Sequence, residues 1–360
     1  MTSALDMPEI MSYIYSKSWK LQFSASSSII IIEDYYLQTF LHSLEKRETG
    51  VFLILVLLCF GLSLYSPSFL SYTNIKNVLV NSVPVGIMAT GMTLVLITAG
   101  IDVSVASQMM FSATWLAIFS QSSPLANPAT VLILALLLGA VTGAINGLLI
   151  ACFSIPPIII TLGTASIYRG IILVYTNGRW IMNIPKWFTS LGKTYFNIPL
   201  PIIYAIVIFV LTAWILKHTY FGRSVYAVGG NENAARYVGV DIKKTIFLTY
   251  FYAGLLCGFA GFVLDAILGN CQPSGSNGWE MNAIAAAVIG GTNILGGSGT
   301  IVGTVIGVVM MGVIENGLVV AHIPTYWQKL VYGLIIIVTV TFDVIRRNYA
   351  DSQKQTIDVD

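Results

Sequence analysis

Residues 103–168 form a run of 66 positions without one Lys, Arg, Asp or Glu. Residues 194–216, 245–264 and 281–314 are equally free of charge. A helix needs about 20 apolar residues to cross the hydrocarbon core of a bilayer, so the first run alone has the length of three crossings. Charge is scarce elsewhere too. Of the 360 residues 56% are hydrophobic and 9% charged, whereas a soluble domain carries roughly 25% charged residues. Eighteen basic and 16 acidic side chains are too few to coat a water-facing surface for a chain of this length. The fold class that follows is all-α, a polytopic transmembrane helical bundle.

Breaks at Gly, Pro, Ser and Asn clusters divide the apolar runs into about ten spans: 51–65, 78–99, 103–120, 129–151, 157–175, 200–216, 245–268, 281–295, 300–320 and 327–342. The first, third and eighth are short enough to be tilted or partly re-entrant, which a bilayer tolerates only where protein or a water-filled cavity satisfies the backbone. An even number places both termini on one side. Basic residues favour cytoplasmic loops, and with cytoplasmic termini they divide twelve inside to five outside. The expected organisation is a cytoplasmic N-terminal tail (1–48), a transmembrane domain (49–347) with a polar cytoplasmic loop at 217–244, and a C-terminal tail (348–360).

Several function classes fall away. A net charge of +2 with no basic cluster argues against nucleic acid. The four cysteines (Cys59, Cys152, Cys257, Cys271) and three histidines (His42, His218, His322) show no metal-ligand spacing and no catalytic constellation, so neither catalytic nor metal-binding residues are expected. No phosphate loop is present: around Gly192-Lys193-Thr194 the first required glycine is Trp187. Asp102 and Asp343 fall at the cytoplasmic edges of their segments. Arg169, Asp265 and Glu315 fall toward outer ends, where a side chain is expected to snorkel to water. Ionisable groups stacked through the midplane, as a proton relay needs, are not evident. Glycines recur every four residues at Gly139, Gly143 and Gly147, at Gly254 and Gly258, and at Gly299, Gly303 and Gly307, a spacing that lets helices approach closely.

The cytoplasmic loop reads Phe221-Gly-Arg-Ser-Val-Tyr-Ala-Val-Gly-Gly-Asn-Glu-Asn-Ala-Ala-Arg-Tyr-Val-Gly239. Asn231 or Asn233 is expected to cap a short helix, Gly239 to stop it, and Ala234, Ala235 and Val238 to give it a small apolar face. Such a helix suits a groove on another protein, or the membrane surface.

Four stretches, taken in order, resemble the permease subunits of the ribose-type ABC sugar importers, a family that also serves arabinose, xylose, galactose and autoinducer-2-like solutes. They are Gly100-Ile-Asp-Val-Ser-Val-Ala-Ser107; Asn146-Gly-Leu-Leu-Ile with Thr161-Leu-Gly-Thr164 and Tyr168-Arg-Gly170; the segment from Phe221 through Gly239; and Ile284-Ala-Ala-Ala-Val-Ile-Gly-Gly291 with Gly296-Gly-Ser-Gly299. Tyr326-Trp-Gln-Lys-Leu-Val-Tyr-Gly333 fits as well. Ala106 stands where the family usually has Gly.

The resemblance implies a permease of the bacterial cytoplasmic (inner) membrane that is not itself an enzyme and holds no cofactor, ATP being used by a partner. The implied partners are a second permease, as homodimer or heterodimer, a cytoplasmic ABC ATPase and an extracytoplasmic solute-binding protein. Glu232, Ala234, Ala235, Arg236 and Gly239 are implied to form the helix that couples to the ATPase, with Asp102 supporting it from the same side. Asn146, Asn282 and Asn293 are candidates for lining the solute path. The charge-poor interior fits a monosaccharide or similar small neutral solute. Branched-chain amino acids as cargo, or an ion-coupled secondary transporter, are the alternatives.

Overall fold

The computed structural model describes residues 47–153 and 155–324, together with 327, 330, 331, 333, 334, 337 and 341. It divides into a unit Met1–Gly50, of which only one helical turn is described, and a unit Val51–Asp360, which holds the features below. The expected tails, up to residue 46 and over 348–360, and most of the expected tenth span (327–342), lie outside the described residues.

In chain order the elements are α1 (Arg47–Tyr65), α2 (Tyr72–Ile97), α3 (Val105–Ser122), α4 (Pro128–Phe153), α5 (Pro157–Thr176), α6 (Lys186–Thr189), β1 (Thr194–Tyr195), β2 (Ile198–Pro199), α7 (Leu200–His218), α8 (Tyr220–Gly230), α9 (Glu232–Tyr237), α10 (Ile242–Leu268), α11 (Trp279–Ile289) and α12 (Ile301–Val320). The two strands pair antiparallel as a two-residue ladder. Among the described residues six helices are long and apolar enough to cross a membrane: α2, α4, α5, α7, α10 and α12. The third expected span becomes α3, whose buried Ser107, Gln108, Ser112 and Thr114 lower its hydropathy. The eighth becomes α11, only 11 residues long, because Gly291, Gly296 and Gly297 take φ values of +91°, +90° and +80° and turn the chain early.

Burial sorts the spans into layers. In α2 and α10 the most apolar windows are 78% and 67% buried, against 28% in α5 and 22% in α7. Helix α10 is the axis of the bundle, packed on α4, α2 and α3. Its crossing with α4 brings backbone against backbone. A Cβ on Gly139 would overlap the Gly254 carbonyl oxygen, one on Gly143 that of Tyr250, and one on Gly258 that of Ala135. Two of the glycine stripes read from the sequence thus face each other.

The third stripe does the same at another crossing: Gly303 and Gly307 of α12 lie against Gly290 and Ala286 at the end of α11.

The ends of the bundle are distinct. At one end the α2–α3 turn meets α5, where Val103 N donates to Thr161 Oγ1 at 3.2 Å. It also meets the α11–α12 turn, where Gly297 N donates to Ile97 O at 2.9 Å. At the other end Tyr72 Oη donates to Asn197 O at 2.8 Å, and Ile181 pairs with Cys271.

Two charged groups depart from expectation. Asp265 does not snorkel; it is fully buried. Arg169 is only partly exposed and pairs with Glu280 at 2.9 Å. Asp265 is enclosed because α10 packs on α4, α2 and α3, while Arg169 is held by its acidic partner.

Candidate functional site

The polar loop between α7 and α10 folds into two short helices joined at Asn231. Thr219 caps α8 through Gly222 N at 3.1 Å. Asn231 Oδ1 accepts from Ala234 N at 3.0 Å and caps α9, the first of the two cap positions expected from sequence. Gly239, at φ +83°, ends it, with Gly239 N bonded to Arg236 O and Val240 N to Ala235 O. Asp241 then caps α10 by accepting from Lys244 N at 3.0 Å.

The two faces of α9 differ. Ala235 is 3% exposed and packs with Val228 and Ile242, backed by Ala227, Val240 and Ile246. Glu232, Ala234, Arg236 and Gly239 are exposed, and Glu232 and Arg236 pair across one turn at 2.9 Å. The apolar surface turned outward comes from Tyr237, 91% exposed, and Val238, 78% exposed. Ala234 and Val238 therefore share the outward face that the sequence suggests, while Ala235 holds the helix down. Tyr237 has no distinct signal in the sequence, because an aromatic beside a glycine stop reads as a turn contact.

The end of α8 is seated on the bundle with almost no clearance. A Cβ on Gly229 would fall on the Ile97 carbonyl oxygen and lie 2.8 Å from Gly297 N. Gly296 lies against the Gly229 carbonyl and Ala99, and Ala99 itself has φ +59°. Tyr226 Oη donates to Gly299 O at 2.7 Å. Three chain segments, the α2 end, the α8 end and the α11–α12 turn, thus meet through main-chain atoms.

Asp102, in the α2–α3 turn, is 0% exposed. Its Oδ1 accepts from Ser104 N at 2.8 Å and Ser104 Oγ at 2.5 Å, and its Oδ2 from Gln108 Nε2 at 3.1 Å. Asn146 Nδ2 joins from α4 through Ser104 Oγ at 2.8 Å, and Thr142 Oγ1 donates to Gln108 Oε1 at 3.1 Å. Burial pushes the Asp102 carboxyl above its ordinary range, and the Ser104 and Gln108 hydrogen bonds draw it back. The cluster pins the start of α3 to α4. Asp102→Ala would leave the buried Ser104 N–H and hydroxyl without their acceptor, at about 1–3 kcal/mol. The expected result is a lowered thermal midpoint in detergent, with Asp102→Asn falling between Ala and wild type.

The remaining predicted path residues separate. Asn146 belongs to the Asp102 cluster, with its Oδ1 buried and unbonded. Asn282, 8% exposed, lies near the start of α11 with an unbonded Oδ1. Asn293 shapes the α11–α12 turn, Nδ2 donating to Gly296 O at 2.9 Å and Oδ1 accepting from Leu295 N at 3.0 Å. Among the described residues no group of three or more His, Cys, Asp or Glu is arranged to hold a metal ion.

The family described as "Branched-chain amino acid transport system / permease component" matches residues 74–340. The ribose import permease protein of Bacillus subtilis (strain 168) is 40% identical over 301 residues, 82% of this chain and 92% of that protein. The ribose import permease protein of Escherichia coli (strain K12) is 35% identical over 307 residues, 83% and 94% of the two chains. The autoinducer 2 import system permease protein of Enterobacter sp. (strain 638) is 35% identical over 301 residues, 83% and 87%. No solved structure matches the chain significantly.

Proposed function

The chain belongs to the ribose-type branch of this ABC importer permease family, and from that premise we propose that it is the membrane-spanning subunit of an importer for a monosaccharide or similar small neutral solute. It works in the bacterial inner membrane as a multi-pass protein, and ATP is hydrolysed by a separate cytoplasmic ATPase. An extracytoplasmic solute-binding protein delivers the solute. The full chain has about ten spans, both termini are cytoplasmic, and two permeases pair around the path.

One observation carries the reading: α9 presents Glu232, Ala234, Arg236, Tyr237 and Val238 outward while Ala235 anchors it. A projecting knob of this kind fits an ATPase groove. Closure of the ATPase pair on ATP displaces α9, and α8 carries the displacement to the α2 end and the α11–α12 turn. Reorientation of the bundle is then driven by the different affinity of the ATPase for the two states. Asp102 supports this end from inside by fixing the α2–α3 turn. Gly239 gives the sharp return into α10. Branched-chain amino acids and ion coupling are less favoured, since the named relatives import ribose and autoinducer 2.

The test is reconstitution with the ATPase and binding protein. D-ribose uptake is expected only with ATP, and L-leucine uptake not at all; ATP-independent transport would end the proposal. Replacing both Tyr237 and Val238 by Ala, on a face that the described residues leave exposed, should leave the folded yield intact. ATP-driven uptake should fall about tenfold or more, as when an exposed aromatic anchor is removed from an interface. Ala235→Glu instead buries a charge and should lower the folded yield itself.

A further inference from the structure

Between α10 and α11 the chain does not cross the outer surface; it turns back into the bundle. It leaves α10 at Gly269, whose carbonyl accepts from Ile184 N. Cys271 sits beside Thr114 and Met110 of α3, at 3.6 and 3.8 Å. Ser276 Oγ then donates to Ala106 O at 3.2 Å, two turns nearer the start of α3. From Thr114 to Ala106 is about 12 Å along a helix axis.

Glu280, at the start of α11, pairs with Arg169. Arg169 lies about 18 Å along α5 at the usual rise per residue, close to the middle of a bilayer about 30 Å thick. Residues 270–278 are therefore a re-entrant segment, and α11 is a half-helix starting near mid-depth.

The segment has two faces. Cys271 and Ser276 are buried against α3 and Pro273 is buried beside them in the chain, whereas Ser274, Gly275 and Asn277 are exposed. Irregular backbone exposed at this depth cannot face lipid, which offers no hydrogen bonds; it must line water or protein. The charge pair points the same way. Arg169 and Glu280 keep side-chain exposures of 32% and 10%, and ionised pairs at membrane depth mark solute pathways. Glu280 Oε2 also accepts from Gly278 N at 3.2 Å, which ties the pair to the segment, while Arg169 Nε is buried without an acceptor.

Resting on the importer reading above, we propose that residues 272–280 with Arg169 form the solute-binding wall of the permeation path. Ser274 and Asn277 supply hydrogen bonds to a neutral polyol, and the Arg169–Glu280 pair holds the segment at mid-depth. Side-chain hydroxyl and amide groups donate and accept at once, as sugar hydroxyls do, and the charges cancel within the wall, which suits an uncharged solute.

Ser274→Cys and Asn277→Cys, made with Cys59 and Cys152 changed to Ser, test this in native membranes holding the whole importer. Only a thiolate attacks a hydrophilic methanethiosulfonate reagent, forming a mixed disulfide and releasing methanesulfinate, and thiolates form in water and not in lipid. The reagent should modify both positions and leave Ile133→Cys and Leu137→Cys on α4 untouched, and D-ribose should slow the modification. Asn277→Ala should lower the maximal rate of ATP-driven ribose uptake about tenfold, the loss of a hydrogen bond or two, while the half-saturating concentration, set by the binding protein, stays unchanged. Absence of labelling at both positions, cross-linking of Asn277→Cys to a second copy, or an unchanged maximal rate would overturn the assignment. Labelling at both positions in a protein that shows no ATP-driven uptake would instead refute the importer reading and leave the water-lined wall standing.

Discussion

Gly229→Ala is expected to abolish ATP-driven uptake, while Gly230→Ala, the next residue, leaves it intact. The methyl group on residue 229 would collide with the Ile97 carbonyl oxygen and press on Gly297 N. These are main-chain atoms, so no side chain can rotate away. The α8 end must lift off the α2 end, or the α11–α12 turn must give. Overpacking of this kind costs about 1–3 kcal/mol and at times more. Gly230 has nothing within 4 Å of an added Cβ, so alanine there stabilises by about 0.5–1 kcal/mol through helix propensity.

The contrast separates a local fault from general damage, because both substitutions add one methyl group to one helix end. Uptake and thermal midpoint, measured on both variants in the reconstituted importer, decide it. Equal behaviour of the two would mean that α8 is not seated on Ile97 as described.

Gly143→Val should cause the largest loss of folded protein. The α4–α10 crossing depends on Gly139, Gly143, Gly254 and Gly258 together. A Cβ at residue 143 would overlap the Tyr250 carbonyl and sit 2.8 Å from the Gly254 Cα. A branched side chain separates the two helices at the axis of the bundle. Close van der Waals packing is what holds membrane helices together, since lipid tails are as apolar as the side chains they would replace. A loss of about 3 kcal/mol or more is expected, at the upper end for single substitutions.

Gly163→Ala and Gly170→Ala on α5 are the controls, with nothing within 4 Å of the added atom. The fraction of monodisperse protein after detergent extraction reads the difference. A Gly143→Val protein as stable as Gly163→Ala would sink the close crossing.

The glycine stripes illustrate how far a linear reading reaches. Spacing by four announces that Gly139 and Gly143 lie on one helix face, but not that the facing helix is α10. The same limit holds for polar groups. Asp102 and Asn146 both stand out in the sequence, one as a support for coupling and the other as a path residue. Their junction through Ser104 spans 42 positions of chain and has no local signature. Arg169 and Glu280 are 111 positions apart, and Arg169 alone resembles a snorkelling residue. The α9 cap, by contrast, is legible, because Asn231 and Gly239 act on atoms within a few residues of themselves.

Taken alone, the sequence determined the membrane class, the order of the apolar runs, the capped helix of the polar loop and the family, all written in local composition and short motifs. The tertiary structure alone decided which helices touch, that α11 is half a span, and that residues 270–278 fold inward. The physical reason is the solvent. In water, apolar periodicity marks the buried face of a helix. In lipid both faces are apolar, so the pattern that would identify neighbours is missing, and only packing supplies it.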